Sequence, residues 1–170
     1  NRNLMKNKIN IYSLSIFTII IFYAFVDGFR IPSAWSINYY FPSFFDGFYR
    51  RALPGTILSI FGDLRFNYYT IAIIQLFTLL SLLLFIYYFF QKNILLLIII
   101  SLYLVSPAGA YLFHNVGYVD QLIYLVLFIS IATFNKNKIF SIGLFSSSMF
   151  IHEMTLFVTL PIYFTYLYIS

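Results

Sequence analysis

The 170-residue sequence has no cysteine and very little charge. Without cysteine the chain can form no disulfide bond, no thiolate metal site and no thiol nucleophile. Lys, Arg, Asp and Glu make up only 9% of the residues, whereas a soluble domain usually carries about 25%. This composition excludes an ordinary soluble globular domain.

Long apolar runs fill most of the chain instead, since 62% of the residues are hydrophobic and 23% are aromatic. A run of roughly 18 or more apolar residues can span a bilayer core of about 30 Å. We therefore predict an all-α fold, a polytopic transmembrane helical bundle of about five spans that forms a single domain over residues 1–170. The predicted spans are residues 11–26, 67–90, 94–113 (kinked at Pro107), 119–134 and 139–169.

The segment 28–65, between the first two predicted spans, contains three prolines, the single tryptophan Trp35 and several tyrosines. Trp and Tyr favour the headgroup level of a membrane, so we expect this segment to lie on the membrane surface. Pro54 suits the first turn of a helix and predicts a short surface helix over 54–61. Some of the aromatic side chains are candidates for stacking on sugar rings, although the sequence singles out none of them.

Basic residues at the ends of the apolar runs predict the orientation of the chain, because cytoplasmic loops are enriched in Lys and Arg. With a cytoplasmic N-terminus, every lysine lies on the cytoplasmic side. The acids, both histidines and the arginines of segment 28–65 then gather on the extracytoplasmic face. The net charge of +5 comes from these flanking residues and forms no basic stripe, so we predict no nucleic-acid partner.

The pair His152-Glu153 lies in the middle of the last apolar run, and Pro161 follows later in it. This run is too long for one untilted span, so we expect it to bend or break. Ionisable groups inside a span cost several kcal/mol unless they are paired or hydrated, and they usually mark function. A catalytic role and a structural salt bridge, for instance with an arginine of the first loop, both remain open. The pair is not an H-E-x-x-H zinc motif, because Leu156 stands in place of the second histidine.

Arg50 and Arg51 directly precede the predicted surface helix. Cations are unfavourable at a helix N-terminus, but guanidinium forks and helix N–H groups together bind a phosphate well. We therefore expect both arginines to bind a substrate phosphate. Binding of ordinary lipid headgroups is the alternative.

Asp27 and Asp46 are candidate general bases. A carboxylate beside arginines stays ionised and can take a proton from a hydroxyl, although either acid can equally form a structural salt bridge with Arg30, Arg50 or Arg51. We expect Asp120 and His114 to line the same cavity, with helix capping as the alternative role of Asp120. No metal ligand set is predicted, and a divalent cation is compatible with this chemistry without being required.

Three motifs, D-G-F-Y-R-R-A-L-P-G, S-P-A-G…H-N-V-G-Y-V-D and I-H-E-M, resemble a group of poorly characterised bacterial polytopic membrane proteins from surface-polysaccharide gene clusters. The layout is more distantly similar to membrane glycosyltransferases of the GT-C fold and to O-antigen polymerases. In GT-C enzymes an acid in the first outer loop is typically the catalytic base, and Asp27 and Asp46 match that placement. O-antigen polymerases rely on outer-loop arginines, and the counterparts here are Arg50 and Arg51.

The chain also departs from these families. GT-C enzymes commonly carry an acidic pair, whereas Asp27 is followed by Gly28, and both families have more spans. The missing methionine at position 1 indicates a fragment or a misplaced start, and the apolar run to Ser170 indicates truncation. Since both families have more spans, we expect the chain to be the N-terminal part of a longer protein.

These observations predict an integral membrane glycosyltransferase or polysaccharide polymerase of the bacterial inner membrane that uses a polyprenyl-phosphate-linked saccharide at the extracytoplasmic face. Membrane lipid and the lipid-linked glycan are its expected partners, and no cofactor is required. One alternative is a transporter or flippase component for an anionic lipid or glycan, with His152-Glu153 as a proton relay. The other is a non-catalytic subunit that packs on a membrane protein partner.

Overall fold

A computed structural model of the chain describes residues 2–47, 51–62, 64–91, 93–106, 112–114, 116, 118–153 and 155–169, with side chains from residue 14 onward. Every regular element in these ranges is helical, which confirms the predicted all-α class. The chain divides into two compact units. The first unit comprises Asn1–Ile31 and Leu83–Val116, and the second unit comprises Pro32–Leu82 and Gly117–Ser170.

The α-helices of the described ranges are α1 (Arg2–Gly28), α2 (Ala34–Asn38), α3 (Leu53–Ile60), α4 (Tyr68–Phe90), α5 (Ile94–Val105), α6 (Asp120–Phe134), α7 (Lys138–Ser147) and α8 (Leu160–Ile169). Leu64–Phe66 and Ser148–Phe150 form 3₁₀ turns, and Thr155–Thr159 forms a π-helical turn.

Helix α4 is the one helix of the described part that is long and apolar enough to cross a membrane, judged by length and composition. The shorter apolar helical stretches are Leu14–Gly28 of α1, Ile94–Val105, Asp120–Phe134, Lys138–Phe150 and Thr155–Ile169. Helix α5 ends at Val105, and the backbone of Ser106 is extended. The predicted kink at Pro107 lies outside the described residues.

Polar turns start several helices, because asparagine and serine side chains accept hydrogen bonds from the first free backbone N–H groups. Asn93 accepts from the Leu96 N–H at 3.3 Å and so begins α5. Asn137 accepts from the Phe140 N–H at 3.0 Å and begins α7. Ser33 caps α2 in the same way, and α2 is a helix that the sequence analysis did not predict.

The predicted surface helix is present as α3, one residue earlier at each end. It packs against the backbone of residues 40–42 at Gly55. A Cβ atom at this position would lie 2.1 Å from the Pro42 carbonyl oxygen and 2.5 Å from the Tyr40 carbonyl oxygen, so only glycine fits. The neighbouring Thr56 hydroxyl accepts a hydrogen bond from the Phe44 N–H at 2.8 Å and fixes the loop on the helix.

The core of the second unit joins α2, α3, α4 and α6. Its buried apolar residues are Ile37, Tyr40, Leu58, Ile71, Val119, Ile123, Val126 and Ile151. Burial raises the pKa of Tyr40 to about 12, against the weaker opposite effect of a hydrogen bond with Gln75, so the Tyr40 hydroxyl stays protonated at any physiological pH.

The last predicted span is not one helix. The chain leaves α7 through the 3₁₀ turn, is irregular from 151 to 153, and re-enters helical geometry through the π turn into α8. The predicted break at His152-Glu153 is therefore confirmed. Thr155 stabilises it, because its hydroxyl donates to the Ser148 carbonyl oxygen at 2.9 Å across the break.

In the first unit, α1 packs along α5. The Phe17 ring lies 5.4 Å from the Tyr87 ring, and Ala24 is buried. After α1 the Arg30 N–H donates to the Phe113 carbonyl oxygen at 3.4 Å.

Candidate functional site

The predicted site residues are distributed over both units. The second unit holds Asp46, Arg51, Asp120, His152 and Glu153, and the first unit holds Asp27 and His114. Arg50 lies outside the described residues. We describe the groups that meet within each unit.

Arg51 and Glu153 form a two-pronged ion pair. The Arg51 Nε donates to Glu153 Oε2 at 3.0 Å, and Arg51 Nη2 donates to Glu153 Oε1. This is the salt bridge with a first-loop arginine that the sequence analysis left open as the structural role of Glu153. The Arg51 backbone is left-handed, with φ of 66°, a conformation that costs a non-glycine residue roughly 1 kcal/mol or more.

Two further groups join this pair. The Arg51 guanidinium lies over the Tyr39 ring, 5.3 Å from its centroid, and the Tyr39 ring lies 6.0 Å from the His152 imidazole. Asp120, the first residue of α6, is close enough to His152 for their charges to interact. Arg51, Asp120, His152 and Glu153 form what we call the ionisable cluster.

The cluster has a defined chemical character. Glu153 balances the charge of Arg51, so the pair offers no excess positive charge to an anion. His152 is the member whose ordinary pKa lies near neutrality. The Arg51 guanidinium disfavours its protonated form, and the Glu153 and Asp120 carboxylates favour it. Among the described residues no three His, Asp or Glu side chains are grouped closely enough to hold a metal ion.

An open groove borders the cluster, with a cavity volume of about 270 Å³. We call it the aromatic groove, and it is lined by Trp35, Asn38, Tyr39, Pro42 and Arg51. Trp35 is 76% exposed. The sequence analysis did not identify the groove. The one sign of the groove in the sequence is the single tryptophan, which lies within P-S-A-W-S-I-N, two residues after the capping Ser33.

Asp46 is engaged by Arg65, a partner that the sequence analysis did not name. Arg65 Nη2 donates to Asp46 Oδ1 at 3.3 Å, and Arg65 Nη1 donates both to Asp46 Oδ2 and to the Phe41 carbonyl oxygen, the latter at 3.1 Å. The hydrogen bonds from Arg65 hold the pKa of Asp46 below its ordinary value. A lowered pKa makes a carboxylate a weaker proton acceptor, so this geometry suits a structural role, and the role of Asp46 as a base stays a prediction.

In the first unit, the His114 imidazole Nδ1 donates to the Gly28 carbonyl oxygen. This places His114 at the end of α1, where the exposed Asp27 directly precedes Gly28 in sequence. The roles predicted for Asp27 and His114 stay predictions.

No protein-family model, no curated protein and no solved structure matches the chain.

Proposed function

We propose that the chain belongs to an integral membrane glycosyltransferase or polysaccharide polymerase that acts on a polyprenyl-phosphate-linked saccharide at the extracytoplasmic face. The ionisable cluster carries this proposal. In a chain with 9% charged residues, Arg51, Asp120, His152 and Glu153 meet at the break in an apolar helix. Such groups are expensive within a membrane and usually mark a functional site.

A multi-pass arrangement in the inner membrane, with a cytoplasmic N-terminus and about five spans, is part of the proposal. Large apolar side chains stand exposed along α1, α4, α5 and α8, for example Ile19 at 67%, Phe77 at 71%, Leu102 at 66% and Phe164 at 59%. Soluble proteins rarely expose so much apolar surface, and lipid tails would cover it. Helices α7 and α8 together would make one broken crossing.

The cluster would act by proton transfer. His152 accepts the proton of the acceptor hydroxyl as the acceptor oxygen bonds to the anomeric carbon of the donor sugar. The bond from that carbon to the phosphate oxygen breaks, the polyprenyl-linked phosphate leaves, and Asp120 stabilises the imidazolium that results. In the resting state the Arg51 guanidinium binds the Glu153 carboxylate. When the lipid-linked donor arrives, its phosphate oxyanion replaces that carboxylate and is bound by Arg51 and Arg50 together. Asp46 and Asp27 are the alternative bases that the family resemblance implies.

A charge exchange tests this proposal against a purely structural role of the ion pair. We would compare the surface-glycan profiles of cells carrying Arg51→Ala, Glu153→Ala and the double variant Arg51→Glu/Glu153→Arg, with the membrane level of each protein measured alongside. We expect the double variant to recover the normal protein level, because the ion pair is restored, but to make short or no glycan. Normal glycan in the double variant would overturn the proposal.

A matched control is Lys138→Ala, which removes a cation that lies over the Phe134 ring at 5.5 Å and has no part in the cluster. It should leave the glycan profile unchanged. Loss of glycan in this control would mean that the assay reports general damage to the protein.

The orientation can be tested separately, because the chain has no cysteine. Phe45→Cys, at a side chain 72% exposed, should react with a membrane-impermeant maleimide in intact cells. Lys136→Cys, in the turn between α6 and α7, should react only after permeabilisation. The reverse pattern would rule out an extracytoplasmic active site.

The second candidate function is transport of an anionic lipid or glycan, and the broken helix favours it. Transporters commonly bind substrate where a helix is interrupted near the midplane, and His152-Glu153 stands at such an interruption. Dependence of glycan export on the proton gradient, lost in His152→Gln while the lipid-linked glycan is still made, would favour transport over transfer.

A further inference from the structure

We propose that the aromatic groove is a saccharide-binding subsite in which a neutral sugar ring stacks on Trp35 and hydrogen-bonds to Asn38 and Arg51. This inference rests on the proposed function and names the place where the sugar unit of the substrate binds. Arg51 is a site residue predicted from the sequence, whereas Trp35 and Asn38 are not.

The position of Trp35 is the first argument. An indole that is 76% exposed contributes little to the packing of its own unit, yet it offers a broad flat surface to a ligand. Tyr39 stands in the same groove as Trp35. Small-ligand sites typically combine such rings with a few placed polar groups.

The polar groups of the groove match the needs of a sugar. The Asn38 amide has both donor and acceptor atoms, and a pair of neighbouring hydroxyls can satisfy both at once. The Arg51 guanidinium has N–H groups beyond the two that bind Glu153, and these can donate to a hydroxyl oxygen.

Charge favours the neutral ring over the phosphate. Among the described lining residues Arg51 is the one charged side chain, and Glu153 already balances it. Free inorganic phosphate in the groove would have to displace the Glu153 carboxylate from the guanidinium by its own affinity alone, whereas the donor phosphate of the proposed function is also held through its sugar and its lipid. A sugar hydroxyl carries no charge, so it leaves the ion pair intact.

The groove is also well supported. Trp35 and Asn38 are three residues apart in α2, so both project from one side of the helix. Ser36 lies between them, is fully buried and donates its hydroxyl hydrogen to the Ser33 carbonyl oxygen at 2.8 Å. This anchoring fixes the spacing of the two groove side chains before any ligand binds.

The single tryptophan provides the test, because emission excited at the red edge of the indole band comes from Trp35 and not from the tyrosines. The purified protein in lauryldimethylamine oxide, a detergent without a sugar headgroup, is titrated with glucose, galactose, N-acetylglucosamine and rhamnose up to about 50 mM, a range that suits millimolar affinity. Inorganic phosphate serves as the comparison. We expect a saturable emission change with at least one sugar and none with phosphate.

Two variants keep the fluorophore and locate the effect. Asn38→Ala should weaken sugar binding roughly fivefold to tenfold, since one hydrogen-bonding group is lost. Tyr69→Ala removes a ring that is equally exposed, at 76%, but lies outside the groove, and it should bind like the unchanged protein. Trp35→Ala, followed by saturation-transfer NMR, should lose binding altogether.

Three results would overturn the inference. The first is that the Trp35 emission changes with none of the sugars. The second is that phosphate changes it as much as a sugar does. The third is that it changes on transfer into lipid nanodiscs but never with sugar. The last result would make Trp35 an ordinary interfacial anchor. The glycan profile of Arg51→Ala is a separate readout that tests the proposed enzyme. No sugar binding together with a glycan defect would reject the groove as a sugar site but support the enzyme. Sugar binding without any glycan defect would reject the enzyme but support the groove as a sugar site.

Discussion

The second unit contains two arginine–carboxylate pairs of the same chemistry in different surroundings. The side chain of Arg65 is 10% exposed and also donates to the Phe41 carbonyl oxygen, while its partner Asp46 is 46% exposed, so the two pairs differ in the burial of the arginine. The side chains of Arg51 and Glu153 are 31% and 42% exposed, and they stand beside His152 and the aromatic groove.

This difference indicates that the Arg65–Asp46 pair stabilises the loop at Phe41, whereas the Arg51–Glu153 pair is accessible to a substrate. A buried arginine needs its partners, because an unpaired charge or carbonyl away from water costs several kcal/mol. A half-exposed pair adds little to stability, and water or a ligand can replace either partner. The Arg51 pair is therefore the one that a substrate can open.

The largest effect is expected for a change that disturbs both pairs at once. Gly55→Ala would force α3 away from residues 40–42, where the added Cβ would lie 2.1 Å from the Pro42 carbonyl oxygen. We expect a loss of about 3 kcal/mol in the free energy of unfolding, measured in mixed micelles by Trp35 fluorescence. Gly143→Ala is the control, since nothing lies within 4 Å of its added Cβ, and equal stability of the two variants would contradict the packing described for α3.

Removal of the buried arginine should come next. Arg65→Ala leaves the Phe41 carbonyl without this donor and should cost about 2 kcal/mol, in the same unfolding measurement. Arg30→Ala, at an exposed arginine that contacts the Phe29 carbonyl oxygen at 3.0 Å, should change stability far less. If the two variants unfold alike, Arg65 does not hold the loop.

A change in the exposed pair should have a small effect on stability and a large effect on function. Arg51→Ala should lower the free energy of unfolding by less than about 1 kcal/mol and still abolish the activity measured as surface glycan. A loss of stability as large as that of Arg65→Ala would erase the distinction between the pairs.

The smallest effect is expected from acid. Arg65 lowers the pKa of Asp46 below its ordinary value of 3.8, so this pair stabilises the fold above that ordinary value and loses its contribution as the pH falls through the lowered pKa. Asp46→Asn should therefore flatten the dependence of stability on pH below about pH 4. An unchanged acid profile would show that Asp46 is not ionised against Arg65 in the folded chain.

The sequence predicts the helices where apolar length and capping residues agree. The run 67–90 gives α4 within one residue of its start, and asparagines 93 and 137 mark the starts of α5 and α7. The break at His152-Glu153 is also predictable, because two ionisable side chains interrupt an apolar run that is too long for one span.

The pairing of the charged residues is not predictable in the same way. Several arginines lie near Asp46 in sequence. Only the fold shows that Asp46 forms its ion pair with Arg65 and that Arg51 forms one with Glu153. The aromatic groove escapes prediction for a similar reason. Its side chains come from α2, residues 39–42 and Arg51, and no periodic pattern connects them.

The π turn at Thr155–Thr159 has a consequence for the phase of the helix that follows. A π turn takes one residue more than an α turn, and each residue rotates an α-helix by about 100°. Because that extra residue is present, Tyr163 faces α7. Its ring centroid lies 4.2 Å from that of Phe145, and its hydroxyl oxygen lies 2.6 Å from the Ser141 hydroxyl oxygen. Deleting one residue there would turn the face of α8 away from α7, so the number of residues in this segment is more tightly constrained than their identity.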